Sequence, residues 1–486
     1  MARPGPVDGS TSDPVDAGGT DRRRVVDLGL ALDRESRLPL PDQLERQLRQ
    51  LLRRGELSAG AVLPSSRALA SDLGVSRGIV VEAYDRLLRQ GLLISQPGGA
   101  VRASSALHST EPAAAGDAAL PEPAVFALDL HPAGTPIGTL DRRAWGGALR
   151  EVLRTATEAE LASLDRAGLL SLREALVEQL SHSRGVVAVP EQVVVTSGVS
   201  DALRGLAPLL AQRGGRVAVE DPGFGLHRAT LIGSGLDLVP VHADAGGIDV
   251  AGLEAHDDLA AVLVTPAHQM PLGVPLTPAR RAALVDWSRR TGAWILEDDY
   301  DGELRYDRQG VRSLHGVAPD RVIYLGTTSK VLSPAIRVGW AVVPPELVEE
   351  VLAWRLPLGG APSNLVQAGL AAFLRSGGFD RGVARLRRRC ASHRAAIAAA
   401  LTDALPDLEH VGVEAGLQIA LRVPDIEPWR LIMAGLERGV QLFATDDGPD
   451  ALLLIGYGAI EPAAAPRVAA VVAEIVAAGR ASTRPH

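Results

Sequence analysis

From residue 125 onward the apolar residues gather into short runs separated by stretches of helical period. The runs are QVVVTSG (192–198), RVAVEDP (216–222), AAVLVTP (260–266), AWILEDD (293–299), RVIYLGT (321–327) and VGWAVVP (338–344), and residues 278–291 are one of the helical stretches between them. Valine- and isoleucine-rich strands alternating with helices predict an α/β body around a mostly parallel sheet. Such sheets place ligands beyond the carboxyl ends of their strands. Glycine and polar residues close these runs, so the chemistry is expected there.

Ahead of the body the period changes. In PDQLERQLRQLLRR (41–54), Leu44, Leu48, Leu51 and Leu52 share one helix face. In LPSSRALASDLGVSRGIVVEAYDRLLRQGLL (63–93), Ser65 or Ser66 caps a helix running to Leu73, Gly74 turns the chain, and Ser76 caps a helix from about Arg77 to Gln90. Two helices about such a glycine form a helix-turn-helix. LLISQPGGAVRAS (92–104) adds two short strands about a Pro-Gly-Gly turn. Together they predict a small α+β winged helix-turn-helix domain over residues 27–103. Its second helix would enter the major groove of double-stranded DNA by its first residues, Ser76, Arg77 and Gly78. Arg67, at the start of the preceding helix, would lie near a phosphate or base edge.

Residues 104–124 read as a flexible Pro/Ala/Ser/Glu linker, residues 1–26 as a disordered polar tail, and residues 125–486 as the body. The tail has no apolar core of a secretory leader. No apolar run reaches the ~18 residues of a spanning helix, so a cytoplasmic protein is expected. The formal net charge is −8, yet residues 34–102 hold 11 arginines against 7 acids, which leaves about −12 elsewhere. A basic module on an acidic body fits nucleic-acid contact by that module alone. Cys390 is the only cysteine, which excludes an internal disulfide and an all-cysteine metal cluster; no metal site is expected. RLRRRC (385–390) reads as a solvated helix face.

One residue stands out from this composition. Of 50 basic side chains, 49 are arginine, and Lys330 is the only lysine. Guanidinium stays protonated, whereas an ε-amine can lose its proton and attack a carbonyl, so Lys330 is a candidate Schiff-base residue. A pyridoxal-phosphate site needs, besides the amine, an acid for the ring nitrogen, a donor for the ring oxygen and a phosphate cradle. EDDYDGELRY (297–306) offers Asp298 as the acid and Tyr300 as the phenol donor. TSGVSDAL (196–203) is a strand-to-helix turn whose amides at Gly198, Val199 and Ser200, with the Ser200 hydroxyl, would face an anion. GTTSK adds the Thr327 and Ser329 hydroxyls, and Arg337 a bidentate charge partner. Phe224 in EDPGFG is suited to stack on the ring. His268 either lines the site or is satisfied by local hydrogen bonds.

Residues 63–91 resemble the GntR-type winged helix, with Ile79 where threonine is usual and QPGGAVRA in place of the common wing. EDPGF, TPAHQMPLG, EDDYDGELRY and GTTSKVLSPAIRVG resemble fold-type I pyridoxal-phosphate aminotransferases. From about residue 28 to 478 the chain resembles the MocR-type regulators, which fuse the two. The resemblance implies an aminotransferase-like body with a smaller α+β lobe beside the mostly parallel sheet. It implies that Lys330 forms the internal aldimine, Asp298 pairs with N1 and Tyr300 contacts O3′. Thr327, Ser329, Arg337 and the 198–200 turn would hold the phosphate, and Phe224 would stack. It also implies a homodimer whose heads can be exchanged between protomers, a DNA operator and a small-molecule effector.

The chain departs from that pattern at Met270, where tyrosine or phenylalanine is usual, and at Leu272, where serine or threonine is. Ser200 and Asp201 stand where glutamines are common. Aligned on Gly456-Tyr457, ALLLIGYG (451–458) puts Leu454 where aminotransferases carry the arginine that anchors a substrate carboxylate, and Arg355 or Arg422 could substitute for it. Three functions stay open. One is a pyridoxal-phosphate-dependent transcriptional regulator sensing an amine, an amino acid or pyridoxal phosphate itself. The second is an active aminotransferase with an accessory DNA-binding domain. The third is a binding module that has lost its cofactor.

Overall fold

The computed structural model describes residues 28–36, 38–54, 56–95, 100–104, 126–132, 140–306, 310–355 and 360–481. The tail, the Pro-Gly-Gly turn and the linker beyond Ser104 lie outside the described residues. Two compact units divide between Ala124 and Val125.

The first unit has helices Leu40–Arg53, Ser66–Asp72 and Arg77–Arg89, then the antiparallel strands Leu93–Ser95 and Val101–Ala103. Leu44, Leu48 and Leu52 are buried against Val80, Ala83, Tyr84 and Leu87, and Leu93 and Ala103 close the core. Ser65, not Ser66, is the N-cap of the second helix, accepting from the Ala68 amide at 3.2 Å. Ser76 occupies the N-cap position of the third helix, but its side chain makes no capping bond. The expected Ser76 cap is therefore corrected: its hydroxyl is left exposed. Tyr84 donates to the Pro64 carbonyl at 2.9 Å, and Arg86 pairs with Asp42, Glu45 and Glu82, which ties the third helix to the first.

The second unit is built on an eight-stranded sheet in the order Val193–Thr196, Gly339–Val342, Val322–Thr327, Trp294–Asp298, Ala261–Val264, Arg216–Asp221, Asp237–Asp244, Gly247–Ile248. The strands from Val322–Thr327 to Asp237–Asp244 run parallel, and Gly339–Val342 is antiparallel to both neighbours. Alternation sends Val217 and Val219 to a face covered by helix Val199–Ala211, and Ala218 to a face covered by helix Pro278–Thr291. A smaller lobe holds the antiparallel sheet Glu409–Val411, Gln418–Val423, Asp450–Gly456, Phe443–Asp447. Helices Gly378–Ala404, Pro428–Leu436 and Ala465–Ala481 pack on it.

The sequence reading found no apolar run long enough to span a membrane, yet the helical stretch Pro462–Ala481 meets that test by length and composition. Val468, Val472, Ile475 and Val476 are buried in the lobe, which makes it a core helix. Cys390 is buried in helix Gly378–Ala404. Arg385 and Arg389 of that helix pair with Asp141 and Glu461.

All six tryptophans lie in the second unit. Leu87→Ala removes a fully buried side chain from the first unit and is expected to destabilise it by about 2–5 kcal/mol. The far-UV circular dichroism transition of that unit should move to lower temperature while the tryptophan fluorescence transition stays in place. A fluorescence transition that moved with it would contradict separate cores.

Candidate functional site

The parallel strands Arg216–Asp221, Ala261–Val264, Trp294–Asp298 and Val322–Thr327 end side by side, and the loops beyond them carry the candidate site. Asp298 closes its strand and is 3% exposed. Alternation turns its neighbours away. Glu297 accepts from the amides of Leu314 and His315 at 2.8 and 2.9 Å. Asp299 accepts from Arg184 at 2.6 and 3.0 Å and from the Tyr324 hydroxyl at 2.7 Å. Asp298 Oδ2 lies 3.2 Å from His227 Nδ1, while its Oδ1 is buried with no hydrogen-bond partner among the described residues. A buried acceptor left so is costly. The N–H of a protonated pyridine would satisfy it.

The sequence reading missed His227. Its signal is spacing: it follows Phe224 by three residues. In helix Gly225–Gly233 that sets the imidazole edge-on to the phenyl ring, centroids 4.8 Å apart. The turn before them is fixed by Arg228, which binds the Glu220 carbonyl and the Asp221 carboxylate. Gly223 is required there, because a Cβ would lie 2.3 Å from the Glu220 carbonyl oxygen.

Lys330 follows strand Val322–Thr327 and is half-buried. Burial lowers its pKa, opposed by the charges of Asp301 and then Asp298, which moves it toward the neutral amine a nucleophile needs. The Tyr300 hydroxyl donates to the His268 carbonyl at 3.1 Å and lies 3.2 Å from His268 Nδ1. Burial, then Asp301 and Asp298, push its pKa well above the usual phenol range. His268 Nδ1 in turn lies 2.8 Å from Asp301 Oδ2, both residues being 3% exposed. Local bonds satisfy His268 Nδ1. Asp301, also missed, is the acid that holds it.

Gly198 (φ +124°) joins strand Val193–Thr196 to helix Val199–Ala211, whose first amides, at Val199 and Ser200, have no acceptor within the helix. A Cβ on Gly198 would approach Thr327 Oγ1 at 4.0 Å, and one on Gly339 would lie 2.7 Å from the Gly198 Cα. The glycines thus let the turn close onto the strand end. Thr327 Oγ1 donates to Ser329 Oγ at 3.0 Å and accepts from the Ser329 amide at 3.2 Å. Arg337 adopts φ 55° and is exposed, two residues before Gly339, which pairs with Thr327. Two hydroxyls and helix amides at one strand end, with Arg337 entering the neighbouring strand, suit a phosphate. With Asp298 Oδ1, the set fits pyridoxal phosphate.

Met270, Leu272 and Leu454, three departures from the family pattern, fall in one buried apolar cluster, with Phe224 and Tyr300 packed against it. Leu454 pairs across the sheet with Ala420 and is fully buried. Both arginines considered as substitutes are already paired. Arg355 is 4% exposed, donates to the Gly360 carbonyl at 2.7 Å and pairs with Asp201 at 3.5 Å. Arg422 is held by Glu409 at 2.9 Å and by Asp447.

In the first unit, Arg67, Ser76, Arg77 and Gly78 are all exposed. Arg77 Nε donates to Ser66 Oγ at 3.2 Å, which draws together the starts of the two helices of the helix-turn-helix. Ile79 packs half-buried against the core, which accounts for its apolar character.

Residues 40–102 match the gntR family of bacterial regulatory proteins, and residues 141–433 match aminotransferase class I and II. The chain is 34% identical over 467 residues to the HTH-type pyridoxine biosynthesis transcriptional regulator PdxR of Corynebacterium glutamicum, covering 94% of this chain and 100% of that one. It is 32% identical to the probable rhizopine catabolism regulatory protein MocR of Rhizobium meliloti, covering 89% and 93%. Among solved structures, Pyrococcus horikoshii kynurenine aminotransferase superposes with a TM-score of 0.67 at 21% identity, covering 74% of this chain and 92% of that one. An archaeal alanine:glyoxylate aminotransferase gives 0.66 at 23%, covering 72% and 90%. These two likenesses are of fold.

Glu220, one residue before the end of its strand, is buried, and burial pushes its pKa up to about 7 against hydrogen bonds from the Thr265 hydroxyl and amide. A carboxyl raised from 4.5 favours the folded state at low pH. That contribution is complete below about pH 4.5 and is lost as pH rises through 7. Glu220→Gln is expected to flatten the fall in melting temperature between about pH 5 and 8. A pH profile identical to the wild type would contradict a neutral Glu220.

Proposed function

This chain belongs to the MocR- and PdxR-type helix-turn-helix transcriptional regulators, a GntR winged helix joined to a class I and II aminotransferase fold, and we propose that its body binds pyridoxal phosphate at Lys330 and reports that binding to the DNA reader. When bound, the cofactor supplies an aldehyde carbon for the Lys330 amine and a ring nitrogen that carries a proton. Asp298 would accept from the ring nitrogen through Oδ1, its carboxylate oriented by His227, and Phe224 would stack on the ring. The Tyr300 hydroxyl, held by His268, would donate to the ring oxygen. The amides of Val199 and Ser200, the hydroxyls of Thr327 and Ser329, and Arg337 would hold the phosphate.

The apolar cluster at Leu454 carries the choice of ligand. An α-amino acid must have its carboxylate held in a reactive pose to be turned over. Position 454 offers an alkyl group, Met270 and Leu272 add to it, and Arg355 and Arg422 are occupied elsewhere. Pyridoxal phosphate itself needs no such anchor. The sensed molecule is therefore the cofactor, and the body is a sensor rather than a transaminase. The naming of the 34%-identical relative for pyridoxine biosynthesis agrees with this. The working unit is a cytoplasmic homodimer whose two heads read two half-sites. The exposed Leu153, Leu161, Leu164 and Leu170 supply apolar surface of the kind a second copy covers.

Lys330→Ala is expected to abolish borohydride-reducible attachment of pyridoxal phosphate while the far-UV circular dichroism spectrum stays unchanged. A reducible adduct in that variant would overturn the assignment.

A further inference from the structure

The region matched to the gntR family begins at residue 40, yet the chain just before it is built into the helix-turn-helix. Leu28, Leu30 and Leu32 alternate along an arm ahead of the first helix and pack against the core of the first unit. Ala31 and Asp33 are held by two glutamines of helix Leu40–Arg53. Gln47 accepts from the Ala31 amide at 3.0 Å and donates back to the Ala31 carbonyl. Gln43 accepts from the Asp33 amide at 2.9 Å, and donates to the carbonyls of Asp33 at 2.8 Å and Leu38 at 2.7 Å. Each side-chain amide pairs both polar groups of one arm residue, as a neighbouring strand would. The spacing allows it: four residues of helix rise about 6 Å, and two residues of extended chain about 6.6 Å.

This clamp fixes the register of the next residue. Arg34 donates to the Gly74 carbonyl at 2.5 Å. Gly74 (φ +62°) is the turn of the helix-turn-helix. It lies just past the end of helix Ser66–Asp72, where carbonyls lack helical partners and carry partial negative charge. Two residues later Ser76 begins the DNA-facing helix, and Arg77 reaches back to Ser66. We propose that Arg34, registered by Gln43 and Gln47, is a positioning residue for DNA reading: it braces the Gly74 turn and so sets Arg77 relative to Arg67. Asp33 and Glu35 flank it, with Asp33 turned back onto the Glu35 amide at 2.8 Å. Two adjacent carboxylates disfavour a phosphate at Arg34, which makes it a brace rather than a contact.

The inference rests on DNA binding by the winged helix and is independent of the cofactor. The full chain would first select a duplex from a random-sequence pool. Affinity for that duplex and for a scrambled one would then be measured across a salt series, with circular dichroism verifying the fold of each variant. Arg34→Ala should lose roughly tenfold in affinity for the selected duplex, with the scrambled duplex and the salt slope unchanged. Arg34→Lys should recover most of the loss. Gln47→Leu should lose a similar factor, and the double variant Gln47→Leu/Arg34→Ala little more, because the two act through one contact. Unchanged affinity in Arg34→Ala would overturn the proposal. So would equal losses on both duplexes with a salt slope shallower by about one, the mark of a direct phosphate contact. Failure of the wild type to select any duplex would overturn the DNA-binding reading as well.

Discussion

Asp298 shares one carboxylate oxygen with His227 and keeps the other buried with no protein donor among the described residues. In a poorly solvated interior such an oxygen is tolerable only if a donor reaches it. Glu220, Glu297, Asp299 and Asp301 are buried around the same strand ends. Asp299 is answered by Arg184, and Glu220 and Glu297 have pKa values pushed up to about 7 by burial. The cleft can therefore keep its own acids partly protonated. What it lacks is a donor at Asp298 Oδ1, and a protonated ring nitrogen would be such a donor. Phe224 and His227 stand one helical turn apart, so the stacking face and the partner of Asp298 come from one short helix.

The other half of the site depends on small residues. Gly198, Gly326 and Gly339 sit where strand ends cross, and a Cβ on Gly326 would lie 2.3 Å from Trp340 Nε1. Their absence of side chains lets Thr327, Ser329 and the first amides of helix Val199–Ala211 converge. Asp201, at the start of that helix, accepts from the Ser197 amide and pairs with Arg355, so its charge is compensated within the protein.

Much of this was legible in the sequence because local rules decided it. The end of an apolar strand singled out Asp298 as a candidate, and the only lysine singled out Lys330. Helical period and the Gly74 turn singled out Arg67, Ser76, Arg77 and Gly78, and the helices they predicted are present. What was not legible came from contacts between distant segments. His227 meets Asp298 across 71 positions of sequence, and its spacing from Phe224 does not by itself point to that acid. His268 reads as a ring contact or a structural residue until Asp301 is seen beside it. Arg355 and Arg422 are equally plausible carboxylate anchors until their own acids appear. The Ser76 cap failed for the reverse reason: the residue type was right and the position was right, but the hydroxyl makes no capping bond.

For cofactor binding to regulate transcription, pyridoxal phosphate must bind the DNA-competent and DNA-incompetent states with different affinity. The coupling must also be reciprocal, so that DNA shifts cofactor affinity by the same factor. The most direct measurement is the affinity of the full-length protein for its operator with and without saturating pyridoxal phosphate, with cofactor binding followed by its absorption band in the same samples. The account predicts a shift of several-fold or more with cofactor and no further shift on adding amino acids. Equal operator affinity with the cofactor demonstrably bound would contradict it, and so would a shift that requires an amino acid.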